Sequence, residues 1–136
     1  HPLPYYLSFE KKALEKANMT AAELNTSFVG SEHFIYAFLC IPECSAYGIL
    51  TGEGVMKDEY GLLFSRTVDK NFQGQGLTLR TTQMYNKSVE AARAIGMLAT
   101  TAHMLYEILN TPECLGVSFL RKFADIEELK RNIINA

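Results

Sequence analysis

Apolar residues along this chain recur at spacings of three and four rather than two. Leu14, Ala17, Ala21, Leu24 and Phe28 fall on one face of a helix. Ser8 stands before this stretch and reads as its N-cap, a hydroxyl able to accept a hydrogen bond from a free N–H of the first turn. The next run, Phe34 to Ile41, is apolar almost all round, as a helix buried on most sides would be. It opens near Ser31, again a capping residue, and stops at Pro42, which cannot continue the hydrogen-bond ladder. A third helix passes through Leu50, and a fourth carries Met56, Tyr60, Leu63 and Thr67 at helical spacing. No stretch alternates with a period of two and enrichment in β-branched residues, so no sheet is expected.

The pattern then repeats. His33 and His103 lie 70 positions apart, and at the same offset Tyr36 meets Tyr106, Leu39 meets Leu109, and Leu50 meets Leu120. Pro42-Glu43-Cys44 returns as Pro112-Glu113-Cys114, Ala21-Ala22 as Ala91-Ala92, and Leu7 as Leu77. A single offset with matching hydrophobicity between the identities marks a duplication. In the second copy Thr78 takes the place of Ser8 and Thr101 that of Ser31. Met84, Ala91, Ala92 and Ile95 mark its first helix, and Ile126, Leu129 and Ile133 its last. Residues 69–76, polar and glycine-bearing, read as a linker between repeat one (7–68) and repeat two (77–135). A four-helix half of about 65 residues is marginal alone. The expectation is therefore an all-α fold, 1–136 forming one domain of two tandem four-helix repeats packed with pseudo-twofold symmetry.

Composition narrows the function classes. The 136 residues carry 48 % hydrophobic and 21 % charged residues and a formal charge of −2, ordinary for a globular chain. The basic residues are scattered and interleaved with acids, so nucleic acid is not an expected partner. The three cysteines, Cys40, Cys44 and Cys114, are an odd number in apolar runs and read as reduced thiols. No basic segment followed by an apolar core opens the chain, and no run approaches the roughly 18 apolar residues of a membrane span. Neither a signal peptide nor a membrane is expected. The first residue is His1 rather than Met, which suggests an excised domain or a tag remnant.

Candidate chemistry is sparse. Gly52-Glu53-Gly54 and Gly74-Gln75-Gly76 lack the Lys-Ser/Thr that completes a phosphate-binding loop, so they read as turns. His33 and His103 occupy the first turn of an apolar helix at equivalent places, and duplicated positions answer duplicated packing needs. They read as imidazoles hydrogen-bonded at a helix start. Cys40 and Cys44 have a ligand-like spacing, but Pro42 separates them and no four ligands match between the halves, so they read as small buried hydrophobes. Glu32 reads as an acid favoured by the helix dipole, or as the acceptor of a cationic side chain.

The capped first helix, the Gly30-Ser31-Glu32-His33 opening of the second, the Leu77-Thr78-Leu79-Arg80 restart and the duplication itself resemble the Clp N-terminal domain of AAA+ unfoldases, closest to the ClpC type. The resemblance runs from Leu7 to Ile134. It departs from the family at Thr100-Thr101-Ala102-His103, where a Gly and a Glu are usual, and at Pro42-Glu43-Cys44, where a short acidic loop is usual. It implies a cytoplasmic, non-catalytic, monomeric domain that docks adaptor proteins and unfolded or tagged substrates for a hexameric motor in protein quality control and proteolysis. It implies no cofactor in this domain, ATP and Mg belonging to the rest of the parent chain. In ClpC-like relatives it also implies recognition of arginine-phosphorylated proteins, with Ser8 and Thr78 marking helix starts whose N–H groups receive an anion and Glu32 receiving the guanidinium. Ala102 replaces the second carboxylate, so the first half is expected to bind better. The alternatives are a free-standing adaptor of the same fold, or a small helical Cys/His metal protein or enzyme.

Overall fold

The computed structural model describes residues 2–23, 28–67, 76–77, 79–96 and 100–135. The described chain is all-α apart from one short strand pair. The first half holds α1 (Pro2–Glu23), β1 (Phe28–Val29), α2 (Ser31–Leu39), α3 (Ser45–Gly52) and α4 (Lys57–Thr67). The second holds β2 (Gly76–Leu77), α5 (Leu79–Ala94), α6 (Thr101–Leu109), α7 (Leu115–Leu120) and α8 (Ile126–Asn135). Helices α2 and α6 begin and end 70 positions apart, and α3 and α7 begin 70 apart. The last pair, α4 and α8, begins 69 apart, so α8 starts one residue sooner after the start of α7 than α4 does after the start of α3. Within that pair Tyr60 and Leu129, also 69 apart, are the wholly buried equivalents.

Several local expectations are corrected. Helix α1 starts at Pro2 and runs through Ser8, which therefore lies inside the helix and not at its cap. Prolines suit a first turn, whose N–H groups have no intrahelical partner, so Pro2 and Pro4 open the helix instead of delaying it. Phe28 belongs to β1, because α1 ends at Glu23; Leu24, Thr78 and residues 68–75 of the expected linker lie outside the described residues, and Gly76 is part of β2. On α5, Met84 and Ala92 are buried, but Ala91 is exposed, and Ile95 is 68 % exposed in the turn beyond Ala94, next to Gly96 at φ 72°. A sheet was not expected, yet β1 and β2 pair in parallel, Phe28 with Gly76 and Val29 with Leu77. Two residues are too few to show a period of two.

Packing follows the duplication. Ala13, Ala17 and Ala21 are buried on α1, whose partner is α2, and α5 stands against α6 in the same way. Each central helix also meets the other half, α2 against α7 and α6 against α3. Two equivalent hydrogen bonds seal these crossings. The Gly116 N–H donates to Ser31 Oγ at 2.8 Å, and the Ala46 N–H donates to Thr101 Oγ1 at 3.0 Å. The donors 46 and 116 and the acceptors 31 and 101 are each 70 apart, which is the signature of a pseudo-twofold axis. Ser31 and Thr101 are thus not caps of their own helices; Gly30 and Thr100 occupy the cap positions. Their hydroxyls satisfy free N–H groups at helix starts of the opposite half. A methyl at Gly116 would stand 2.9 Å from Ser31 Oγ and 3.2 Å from its carbonyl carbon, so glycine permits this approach. Tyr60 and Phe64 of α4 meet Phe119 of α7 at centroid distances of 6.1 and 6.2 Å, joining the halves through aromatic contact. No helix among the described residues is long and apolar enough to cross a membrane.

Candidate binding site at the start of the second helix

The chain enters α2 through Gly30, whose extended backbone (φ −110°, ψ −175°) is that of an N-cap. The Gly30 N–H donates to His33 Nδ1 at 3.0 Å, while the Gly30 carbonyl accepts the His33 N–H at 3.1 Å. His33 therefore does what a glutamate does at the third position of a capping box, returning a bond to the cap residue. Because Nδ1 accepts, the neutral ring carries its proton on Nε2. The ring is 3 % exposed and sits edge-on to Phe64 at 5.0 Å. The second half repeats the device: the Thr100 N–H reaches His103 Nδ1 at 3.0 Å, with Thr100 Oγ1 at 2.9 Å. Burial holds the His103 pKa below its ordinary value. Both histidines are structural, as their duplicated placement suggested.

Glu32 is 5 % exposed, an uncommon state for a carboxylate. Its side chain folds back over Gly30, where any Cβ would collide with Oε1. Oε1 lies 3.4 Å from His33 Nδ1, but that nitrogen's lone pair already takes the Gly30 N–H, so the contact is a close approach and not an ion pair while the ring is neutral. The Glu32 carbonyl accepts the Tyr60 hydroxyl at 2.8 Å. Burial above all, then the charges of Glu32 and Cys114, pushes the Tyr60 phenol well above its ordinary value.

A cleft of about 290 Å³ opens here, lined by Gly30, Glu32, Thr81, Met84, Cys114 and Leu115 among others. Its walls come from the opposite half: α5 supplies Thr81 and Met84, and the start of α7 supplies Leu115. Glu32 was expected to share a site with Ser8. Ser8 lies inside α1, and its side chain is outside the described residues. The β1–β2 pair lays the entry to α2 beside the entry to α5. Thr78, one residue before α5, is outside the described residues. Thr81, Cys114 and Leu115 carry no spacing signal toward position 32; only the chain's path over the pseudo-twofold packing brings them there.

At the equivalent point of the second half, a hydroxyl of the first half takes up the free N–H. Ala102 stands for Glu32, and its N–H donates to Ser45 Oγ at 3.0 Å. Ser45 Oγ in turn lies 3.2 Å from Thr101 Oγ1. Leu115, the equivalent of Ser45, has no hydroxyl to offer α2. Cys44 and Cys114 precede α3 and α7, their thiols directed to the Phe38 and Ile108 carbonyls at 3.5 and 3.7 Å. Burial pushes the Cys44 thiol up, the reverse of what a nucleophile or metal ligand needs. Cys40 is only half buried, against the expectation of a buried hydrophobe, because it lies just past the end of α2. Among the described residues no three His, Cys, Asp or Glu side chains converge as metal ligands.

No protein-family model and no curated protein matches the sequence. Solved structures do match. The N-domain of ClpV from Vibrio cholerae is similar over 98 % of this chain and 87 % of that chain, at 15 % identity and a TM-score of 0.71. The fold is that of a Clp N-domain. The ClpV N-domain in complex with a VipB peptide matches at 16 % identity and a TM-score of 0.69, over 98 % of this chain and 91 % of that one. The N-terminal domain of the chaperone ClpD from Arabidopsis thaliana matches at 13 % identity and 0.68, over 92 % of each chain. At such identities the shared property is the Clp N-domain fold, and ligand chemistry has to be argued from residues.

Proposed function

We propose that this chain is a recognition domain that docks adaptors and unfolded or tagged proteins for an ATP-driven Clp unfoldase in the cytoplasm, acting by binding and not by catalysis. The observation that carries the reading is the similarity to Clp N-domains along 98 % of the chain, one of them solved with a VipB peptide. We further propose the Glu32 cleft as the place where an arginine-bearing segment, including an arginine-phosphorylated one, is held. A recessed carboxylate suits the paired donors of a guanidinium. The nearby start of α5, sixteen residues long, offers N–H groups to an attached phosphate. Thr78, just before it, is the hydroxyl proposed to take part, and the anion role first given to Ser8 passes to this helix.

Calorimetric titration with phosphoarginine and with an arginine-rich peptide tests the site. One dominant site is expected, and Glu32→Ala should weaken it roughly tenfold to hundredfold, the worth of a charge-assisted contact. Two equal sites, or affinity indifferent to Glu32→Ala, would remove Glu32 from recognition. The motor part of the proposal is checked on the gene. Its reading frame is expected to continue into ATP-binding motifs, and a stop codon directly after Ala136 would favour the free-standing adaptor.

A further inference from the structure

A second cleft, about 340 Å³, lies between α1, α2 and α4 on the first half. Its lining includes Glu23 at the end of α1, Tyr36 of α2, and Asp58, Gly61 and Phe64 of α4. The Tyr36 and Phe64 rings stand 5.9 Å apart and form an aromatic wall. Gly61 makes room for that wall, since a Cβ there would come within 3.0 Å of Tyr36 Cε1. Glu23 and Asp58 line the same cleft as the ring. After burial and the neighbouring Cys40, their two charges are what raises the Tyr36 phenol above its ordinary value. Lys57 also lines the cleft, yet among the described residues neither acid forms an ion pair with it or with any other base.

The duplication shows what such an arrangement receives. In the register of the last helices, 69 apart, Asp58 corresponds to Glu127 and Gly61 to Lys130. There the chain supplies its own cation: Lys130 Nζ lies 3.5 Å from Glu127 Oε1, and the lysine side chain is only 23 % exposed. The first half keeps the acid, keeps the tyrosine of the pair Tyr36 and Tyr106, adds Glu23, and deletes the lysine down to a glycine. A cleft of the second half that includes Tyr106, the counterpart of Tyr36, has Glu107 as the one acid in its described lining.

We propose that the cleft of Glu23, Tyr36, Asp58 and Gly61 binds a lysine side chain of a docked polypeptide, its ammonium between the two carboxylates and its stem along the aromatic wall. Carboxylates in partial solvent and a ring face are both attractive to an ammonium, and the methylene stem suits the apolar lining. This rests on the reading of the chain as a polypeptide-recognition domain and adds a basic-residue preference at a site separate from Glu32.

The test is an NMR titration of the 136-residue chain with a twelve-residue peptide of alternating lysine and serine, and with the same peptide fully acetylated on its lysines. The lysine peptide is expected to shift the Tyr36 ring and Gly61 amide signals, and the acetylated peptide to leave them in place. The double variant Glu23→Gln/Asp58→Asn should weaken binding roughly tenfold. Both acids are exposed, so the fold should survive, as circular dichroism would show. Gly61→Lys, which restores the arrangement of Lys130, should also block the cleft. Unchanged affinity in the double variant, or shifts centred on Glu32, would overturn the assignment. Phosphoarginine titrated in the same series separates the two ideas: binding there with no lysine response removes this cleft alone.

Discussion

The entries to α2 and α6 are built alike and furnished differently. Each places a histidine in the first turn to hold the cap N–H, and each uses a first-residue hydroxyl to hold the opposite half. At the α2 entry the cap is a glycine, the next residue but one is a recessed glutamate, and a cleft remains. At the α6 entry the cap is a threonine, alanine replaces the glutamate, and Ser45 takes up the first-turn N–H. The same contrast appears on the outer helices, where Lys130 pairs with Glu127 while Gly61, its counterpart, offers Asp58 no such base. A duplicated fold must solve its packing twice, while its surface is free to differ between the copies. The residues that fasten the halves recur, and those that could meet a partner diverge.

The largest test of this contrast lies under the clefts. Phe64 is 1 % exposed and touches His33, Tyr36, Tyr60 and Phe119, whereas its counterpart Ile133 is only partly buried. Phe64→Ala should cost about 3–5 kcal/mol in urea unfolding, within the range for a buried aromatic. Ile133→Ala should cost about 2 kcal/mol, the low end for an aliphatic truncation. Equal losses would mean that the two halves are supported alike.

The fastening bonds come next. Ser31→Ala and Thr101→Ala each leave a buried N–H, of Gly116 and Ala46, without its acceptor. Each is expected to lower stability by about 1–3 kcal/mol. Since Thr101 also meets Ser45, its loss should be the greater, and chemical denaturation of both variants would show the order. No loss in either would reduce these crossings to incidental contacts.

The smallest effect is a pH dependence. The His103 pKa is lowered in the folded state by burial, so below the ordinary histidine value of about 6.5 the unfolded chain binds the extra proton. Its contribution to stability is complete above that value, declines as pH falls from it toward the lowered folded value, and levels off below. His103→Gln keeps an acceptor for the Thr100 N–H and should flatten this decline in denaturation curves taken between pH 7 and 5. An unchanged slope would assign the acid response to other groups.

Much of this fold was written in local patterns. Helical spacing, the repeat offset and the apolar runs named α2 and α6 as central helices, and the paired positions of His33 and His103 marked them as helix-start residues. These are short-range properties, decided by which backbone N–H lies within reach of a side chain three residues away. Other features depend on elements far apart in the chain. A serine or threonine at a helix start reads as that helix's cap, yet Ser31 and Thr101 bond across the pseudo-twofold axis, because the two halves bring foreign N–H groups within 2.8 and 3.0 Å. Ser8 read as a cap and lies inside α1, because prolines tolerated in a first turn let the helix begin six residues before it, at Pro2.

Glu32 itself could be singled out from sequence, but its surroundings could not. Thr81, Met84 and Leu115 are separated from it by 49 to 83 positions, and they reach it only because a two-residue parallel pair sets the entries to α2 and α5 side by side. The cleft beside Tyr36 depends likewise on a glycine whose missing side chain matters only once α4 lies against α2. Sequence determined the helices, their duplication and the residues able to carry charge. Tertiary packing decided which charges are neutralised within the chain and which face an open cleft, since neutralisation depends on distances of a few ångströms between residues that no periodicity relates.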